Sequence, residues 1–271
     1  MTKNNVLYPR VSVGHYENFP VASLLLPAAA RGPVALIYRF ARSADDFADE
    51  GDDAPEVRLE KLNGYRKQLD APTEPFFDEI QRTVRVHGLP LQLFRDLLDA
   101  FSQDVVKKRY AGYAELLDYC RRSANPVGRL LLHVFKRTTD SELAQSDAIC
   151  TALQLVNFWQ DVEIDFAKGR IYLPQDEMAR FGVTERHLAE KRCDERFRAL
   201  MKFEAERTRE LMLSGAPLGR ALPGRFGLEI RATVQGGLRI LEKLGAAGYD
   251  VFRRRPVLRA LDWPLLLLRA A

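Results

Sequence analysis

Along almost the whole chain apolar residues recur at intervals of three and four, and alternating runs bounded by turn signals are missing. Such spacing buries one face of a helix and gives a sheet nothing to pair, so it predicts an all-α protein of about ten helices. Breakers separate the periodic segments at Gly32-Pro33, Pro72 to Pro75, Gly88 to Pro90, Asn125-Pro126, Gly169 to Pro174, Ser214 to Pro217 and Pro223-Gly224. No repeat or low-complexity linker divides the chain, and its 271 residues suffice for one continuous core. Residues 1–271 therefore read as a single domain.

Two segments, Val34–Ala41 and Cys150–Trp159, have few positions that tolerate water and are expected at the centre. Arg192–Arg209 is densely charged, with Phe197, Leu200, Met201 and Phe203 as sparse apolar positions, and is expected in an outer layer. Cys120, Cys150 and Cys193 lie far apart without a CxxC pair, which argues against a disulfide framework or a zinc site and for reduced thiols in the cytoplasm. A metal, if used, is held by oxygen. The net charge is +4, but bases and acids are interleaved, which disfavours a nucleic-acid partner. The apolar stretch Val21–Ala30 is short, broken by Pro27 and lacks a basic lead, so no secretory signal or spanning helix is expected.

The chemistry is concentrated in two polar stripes. In VALIYRFARSADDFADEGD, Tyr38, Arg42, Asp45 and Asp49 follow at spacings of four, three and four, with Asp46 alongside. In QLVNFWQDVEIDFAKGRIYLP, Gln154, Asn157, Asp161 and Asp165 follow at three, four and four. Each set falls on one helix face. Acids at helical spacing ordinarily mark a solvated face, but the second stripe is flanked by Leu153, Leu155, Val156, Phe158 and Trp159, so it should face an interior cavity.

Carboxylates lining a cavity are costly unless cations lie close. Two of them about 5 Å apart repel by on the order of 3 kcal/mol at an effective dielectric of 20. Arg42 and Arg170 supply part of the compensation. An oxygen-only ligand set with open positions describes Mg²⁺, which binds through a few carboxylates and substrate phosphates. Lys168, Arg170 and Tyr172 then suit a diphosphate, whose departure metals and arginine assist by neutralising charge. The ligands of a di-iron bundle are lacking, since no histidine has a glutamate three positions before it. Walker and dinucleotide fingerprints are missing too.

With these stripes the chain resembles the squalene and phytoene synthase family from about His15 to Pro256. The opening histidine and aromatic are similar to His15 and Phe19 in GHYENFP, the first aspartate motif to Asp45, Asp46 and Asp49, and the second to Gln154, Asn157, Asp161 and Asp165 with Arg170 and Tyr172 following. The resemblance implies an isoprenoid synthase helical bundle around a deep central apolar cavity, about three Mg²⁺ ions, and prenyl diphosphate substrates. It implies catalytic roles for Asp45, Asp49, Asp161, Asp165, Tyr38 and Tyr172, and substrate contacts for His15, Phe19, Arg42, Gln154, Asn157 and Arg170. Metal ligation falls to Asp45, Asp46, Asp49, Asn157, Asp161 and Asp165.

Within the family, ARSADDFADEGD, SANPVGRLLL, NFWQDVEIDFAKGRIYLP and GYDVFRRRPVL are most similar to a bacterial branch that forms hydroxysqualene from presqualene diphosphate and water. That implies no nicotinamide, and coupling to a presqualene diphosphate synthase before it and a flavin-dependent reductase after it. Head-to-head condensation of farnesyl diphosphate is the alternative within the fold; a catalytically silent helical assembly factor is the alternative outside it.

Several residues carry narrower expectations. Many relatives have an acid just before the last aspartate, where this chain has Ile164 and moves Glu163 one residue earlier, turning that carboxylate aside. Gly236 and Gly237 weaken a helix, either to leave room for substrate or to let helices pack closely. Asn125-Pro126 either breaks a helix and frees carbonyls for a cation or forms an inter-helix turn. Leu24, Leu131, Leu155 and Phe158, with Phe19, are candidates for cavity wall or plain core. No residue is singled out to direct water. Apolar side chains beside arginines in LRALDWPLLLLRAA allow peripheral contact with the inner face of the membrane, against the alternative of a closing helix.

Overall fold

The computed structural model describes residues 27–271, so the expectations for His15, Phe19 and Leu24 lie outside the described residues. Among the described residues the protein is helical throughout, apart from an isolated parallel bridge between Arg109 and Ile171. The first half comprises α1 (Ala28–Asp49), α2 (Pro55–Asp70), α3 (Pro75–His87), α4 (Leu91–Val106), α5 (Tyr113–Ser123), α6 (Asn125–Val134) and α7 (Asp140–Gln160). The second comprises α8 (Val162–Ala167), α9 (Gln175–Arg180), α10 (Glu185–Ala189), α11 (Glu195–Gly215), α12 (Leu218–Ala221), α13 (Gly224–Ala246) and α14 (Trp263–Ala270). This exceeds the expected number because α8, α9, α10 and α12 are four to six residues long, too short to display a helical period.

The two apolar segments are central, as expected. On α1, Phe40 is fully buried among Phe94 at 5.1 Å, Tyr65 at 5.6 Å and Phe77 at 6.4 Å between ring centres, which ties α1 to α2, α3 and α4. A capping box between Thr139 and Glu142 starts α7, satisfying donors that its first turn leaves open. From Cys150 to Trp159 that helix is buried on nearly every side, against α6, α11 and α13. Fully buried Trp159 donates its Nε1–H to Thr208 Oγ1 on α11 at 2.8 Å.

One expectation is corrected, one is refined and two open alternatives are decided. Helix α1 runs through Pro33; so near the start, the missing N–H removes a single bond. Helix α11 exposes the charged face expected of an outer layer, at Glu195, Arg196, Arg198, Lys202, Glu206 and Arg209, but buries Glu204 and Thr208 along with Phe197, Leu200 and Met201. Asn125-Pro126 is an inter-helix turn: Pro126 occupies the first turn of α6, where an N–H is dispensable, and Asn125 Oδ1 accepts from Thr151 Oγ1 at 2.8 Å. Gly237 serves close packing, since a Cβ there would stand 2.5 Å from Met212 Cε and 3.2 Å from Leu153 Cδ2.

Candidate active site

The stripes converge. Tyr38, Arg42, Asp45 and Asp49 of α1 and Gln154, Asn157, Asp161, Asp165, Arg170 and Tyr172 of the second motif line one cavity of about 430 Å³. Asp161 sits at the junction of α7 and α8, with φ −106° and ψ 15°, so the second stripe bends without losing its face. Its N–H still bonds to Asn157 O at 2.9 Å, and Asp165 N–H to Asp161 O at 2.8 Å. After α8, Gly169 turns through φ +77° and Arg170 N–H bonds back to Asp165 O at 2.8 Å. This left-handed helix stop suits glycine and directs Arg170 inward.

The cavity combines apolar surface, from Ala41, Phe101, Val127 and Phe158 and the rings of Tyr38, Tyr119 and Tyr172, with the charged side chains of the two acidic faces that turn toward it. Of the candidate wall residues, Phe158 lines the cavity, whereas Leu155 and Leu131 do not and belong to the packed interior. Phe158 and Tyr172 stack with ring centres 3.8 Å apart and planes at 6°, and Tyr119 joins them at about 6 Å.

Positive charge reaches some of the acids. Arg42 lies 2.7 Å from Asp46 and 3.4 Å from Asp45, so Asp46 is turned to the arginine beside the cavity. Arg170 lies 2.5 Å and Lys168 3.6 Å from Asp49. Burial opposes the charge of Asp49, but those two cations outweigh it and hold its carboxyl below the usual range. Arg255, in the segment after α13, binds both oxygens of Asp161. Glu163 instead pairs with Lys191 away from the cavity, as its rotation predicts.

Two acids remain short of cations. Burial, then the charge of Asp49, pushes Asp45 up to about 7. Burial, then Asp161, pushes Asp165 up to about 8. Asp45 still keeps 37% of its side-chain surface accessible, because it faces the cavity although protein surrounds it. Both positions favour an added cation, and their oxygen donors fit Mg²⁺. Among the described residues no three His, Cys, Asp or Glu side chains are gathered tightly enough to hold a metal unaided. That is compatible with a hard cation that relies on phosphate oxygens for further ligands.

Sequence reasoning missed Asp104. It is 4% exposed on α4, lines the same cavity, and accepts the Tyr119 hydroxyl on Oδ2 at 2.6 Å, while Oδ1 has no partner among the described residues. Burial pushes it up to about 7 against the lowering effect of Tyr119. The signal was present: Leu97, Phe101 and Asp104 share the stripe that buries α4, whereas Asp96 and Asp99 lie off it and bind Gln92 and Arg66. Tyr119 was not singled out either.

Comparison with known proteins gives the family. The family model described as squalene/phytoene synthase matches residues 13–262. A hydroxysqualene synthase of Zymomonas mobilis is 37% identical over 80% of this chain and 75% of its own length. One from Rhodopseudomonas palustris is 35% identical over 79% and 74%. A 15-cis-phytoene synthase of Synechococcus elongatus is 29% identical over 96% and 91%. Among solved structures, squalene synthase HpnC from Alicyclobacillus acidocaldarius superposes with a TM-score of 0.80 at 35% identity, covering 87% of this chain and 90% of that one.

Proposed function

Since the chain belongs to the squalene/phytoene synthase family of isoprenoid enzymes, we propose that it converts presqualene diphosphate and water to hydroxysqualene and diphosphate. The observation that carries this reading is the cavity in which both aspartate stripes meet Arg170 while Asp45 and Asp165 lack sufficient positive charge. The similarity to hydroxysqualene synthases supports the choice of substrate.

Asp45, Asp49, Asp161 and Asp165, with Asn157 and with Asp46 after release from Arg42, would hold Mg²⁺. When bound it would neutralise charge that builds on the diphosphate oxygens. Arg170 and Arg42 bind the same group, and guanidinium geometry suits its paired oxygens. As the carbon–oxygen bond breaks, its electron pair leaves with diphosphate. The remaining cation is stabilised by the aromatic surfaces of Phe158, Tyr172 and Tyr119. A water oxygen bonds to the carbon and its proton passes to Asp104 Oδ1 or to departed diphosphate, which balances the step. No nicotinamide is consumed. A presqualene diphosphate synthase would supply the substrate and a flavin-dependent reductase would remove the alcohol, all in the cytoplasm.

The phytoene synthase relative and the squalene synthase structure favour a second reading, head-to-head condensation of farnesyl diphosphate. Supplying purified protein and Mg²⁺ with each diphosphate, without nicotinamide, separates the two by lipid product. Hydroxysqualene from presqualene diphosphate alone is expected; turnover of farnesyl diphosphate alone overturns the proposal.

A further inference from the structure

Nine large hydrophobic side chains are exposed among the described residues, and Leu261, Trp263, Leu267 and Leu268 supply four of them within one short segment. Leu261 is 91% and Leu268 75% exposed. Helix α14 buries Leu266 and Ala270 against α13 and leaves these leucines and the indole outside. The segment is held firmly: buried Asp262 takes Arg239 at 2.9 Å and the Arg259 N–H at 2.7 Å, and also binds Lys243. A closing helix is therefore present, and its outer face is a separate surface.

Charge indicates what covers that surface. Arg253, Arg254, Arg259 and Arg269 are exposed along the same stretch of chain, while Asp262 is the sole acid from Arg253 to Ala271 and is already neutralised. At its margins Arg253 meets Asp250 and Arg269 meets Glu242. A second copy of the chain would bring like arginines together across a two-fold contact. A bilayer bearing anionic headgroups offers both complements, a polar boundary for Trp263, hydrocarbon for leucine and phosphate for arginine.

We propose that this C-terminal face docks peripherally on an anionic lipid membrane. Among the described residues no helix is long and apolar enough to cross one. The segment that leads into this face is tied to the helix that carries the second stripe: Arg255 Nη2 is 3.0 Å from Asp161, and Pro256 O accepts from Gln160 Nε2 at 2.7 Å. Docking here brings the cavity to the phase in which long isoprenoid chains dissolve. The inference stands on the surface itself and does not depend on which diphosphate reacts.

The test is flotation of the full chain with vesicles of phosphatidylcholine alone or mixed with phosphatidylglycerol, together with quenching by brominated lipid. The protein has two tryptophans, and Trp159 is fully buried, so quenching reports Trp263. Flotation and quenching are expected with the mixed vesicles. Leu261→Glu with Leu268→Glu should lower partitioning at least about tenfold, while circular dichroism stays unchanged because both side chains are exposed. Arg253→Gln with Arg254→Gln should lower it on the order of 30-fold at low salt. Absence of flotation, or equal flotation of the leucine variant, overturns the proposal. A dimer in solution that the leucine variant dissolves assigns the face to a second copy instead and overturns it equally.

Discussion

The protein buries two acidic clusters and treats them in opposite ways. In one, Glu204 of α11 is fully buried beside Glu177 of α9, and Arg207 binds both, at 2.6 Å to Glu204 and 2.6 and 2.8 Å to Glu177. The same guanidinium lies 3.2 Å from the centre of the Tyr113 ring. Burial, then a hydrogen bond with Glu177, pushes Glu204 up to about 9, so one shared proton and one arginine balance two carboxyls. In the cavity, Asp45, Asp49, Asp161 and Asp165 face common space, and the arginines and lysine that reach it leave Asp45 and Asp165 raised. The first cluster is closed and holds helices together. The second is open to a charge brought from outside, which is the property of a site.

Substitutions should separate the clusters most strongly in activity. Asp45→Asn or Asp165→Asn should reduce turnover by at least about a hundredfold, with the melting temperature unchanged or raised because like-charge repulsion is relieved. Full activity in both variants would remove the metal assignment. Arg207→Met should do the reverse. It strands a buried carboxyl pair and should lower stability by on the order of 3 kcal/mol, while turnover persists at temperatures where the variant stays folded.

Proton linkage distinguishes the clusters more finely. Metal must displace protons from Asp45 and Asp165, so apparent Mg²⁺ affinity should fall as pH drops below about 8 and on through about 7. Calorimetric titration at several pH values measures this. Glu204 acts in the other direction. Its folded value of about 9 exceeds the ordinary 4.5, so the folded state retains a proton that the unfolded chain has released. Its contribution to stability is complete below about 4.5 and is lost as pH rises toward 9. Glu204→Gln imitates the protonated acid, so it should match the native protein below about 4.5 and remove the decline between about 4.5 and 9. An unaltered pH profile would show that Glu204 is already ionised.

The contrast also explains what could be read from sequence. Helical period and apolar context exposed α1 and α7 as central and placed eight cavity-lining residues on two stripes, because each stripe repeats several times on one face. Asp104 and Glu204 are single acids on amphipathic helices; neither repeats as the stripes do, and only its place on the apolar face of its helix marks it. Asp104 differs from Asp99, and Glu204 from Glu206, only in the face to which a turn of the helix brings it. Arg255 could not be paired with Asp161 at all, since the contact joins segments far apart in the chain. Pro33, the short helices and the close approach at Gly237 are likewise settled by packing rather than by local preference.

The most direct test of the open cluster is thermal melting with Mg²⁺ and inorganic diphosphate, added singly and together, to the intact protein and to Asp45→Asn. A rise in melting temperature is expected for the intact protein, largest with both present, with loss of that rise in the variant. An equal rise in the two proteins, or none in either, would contradict it.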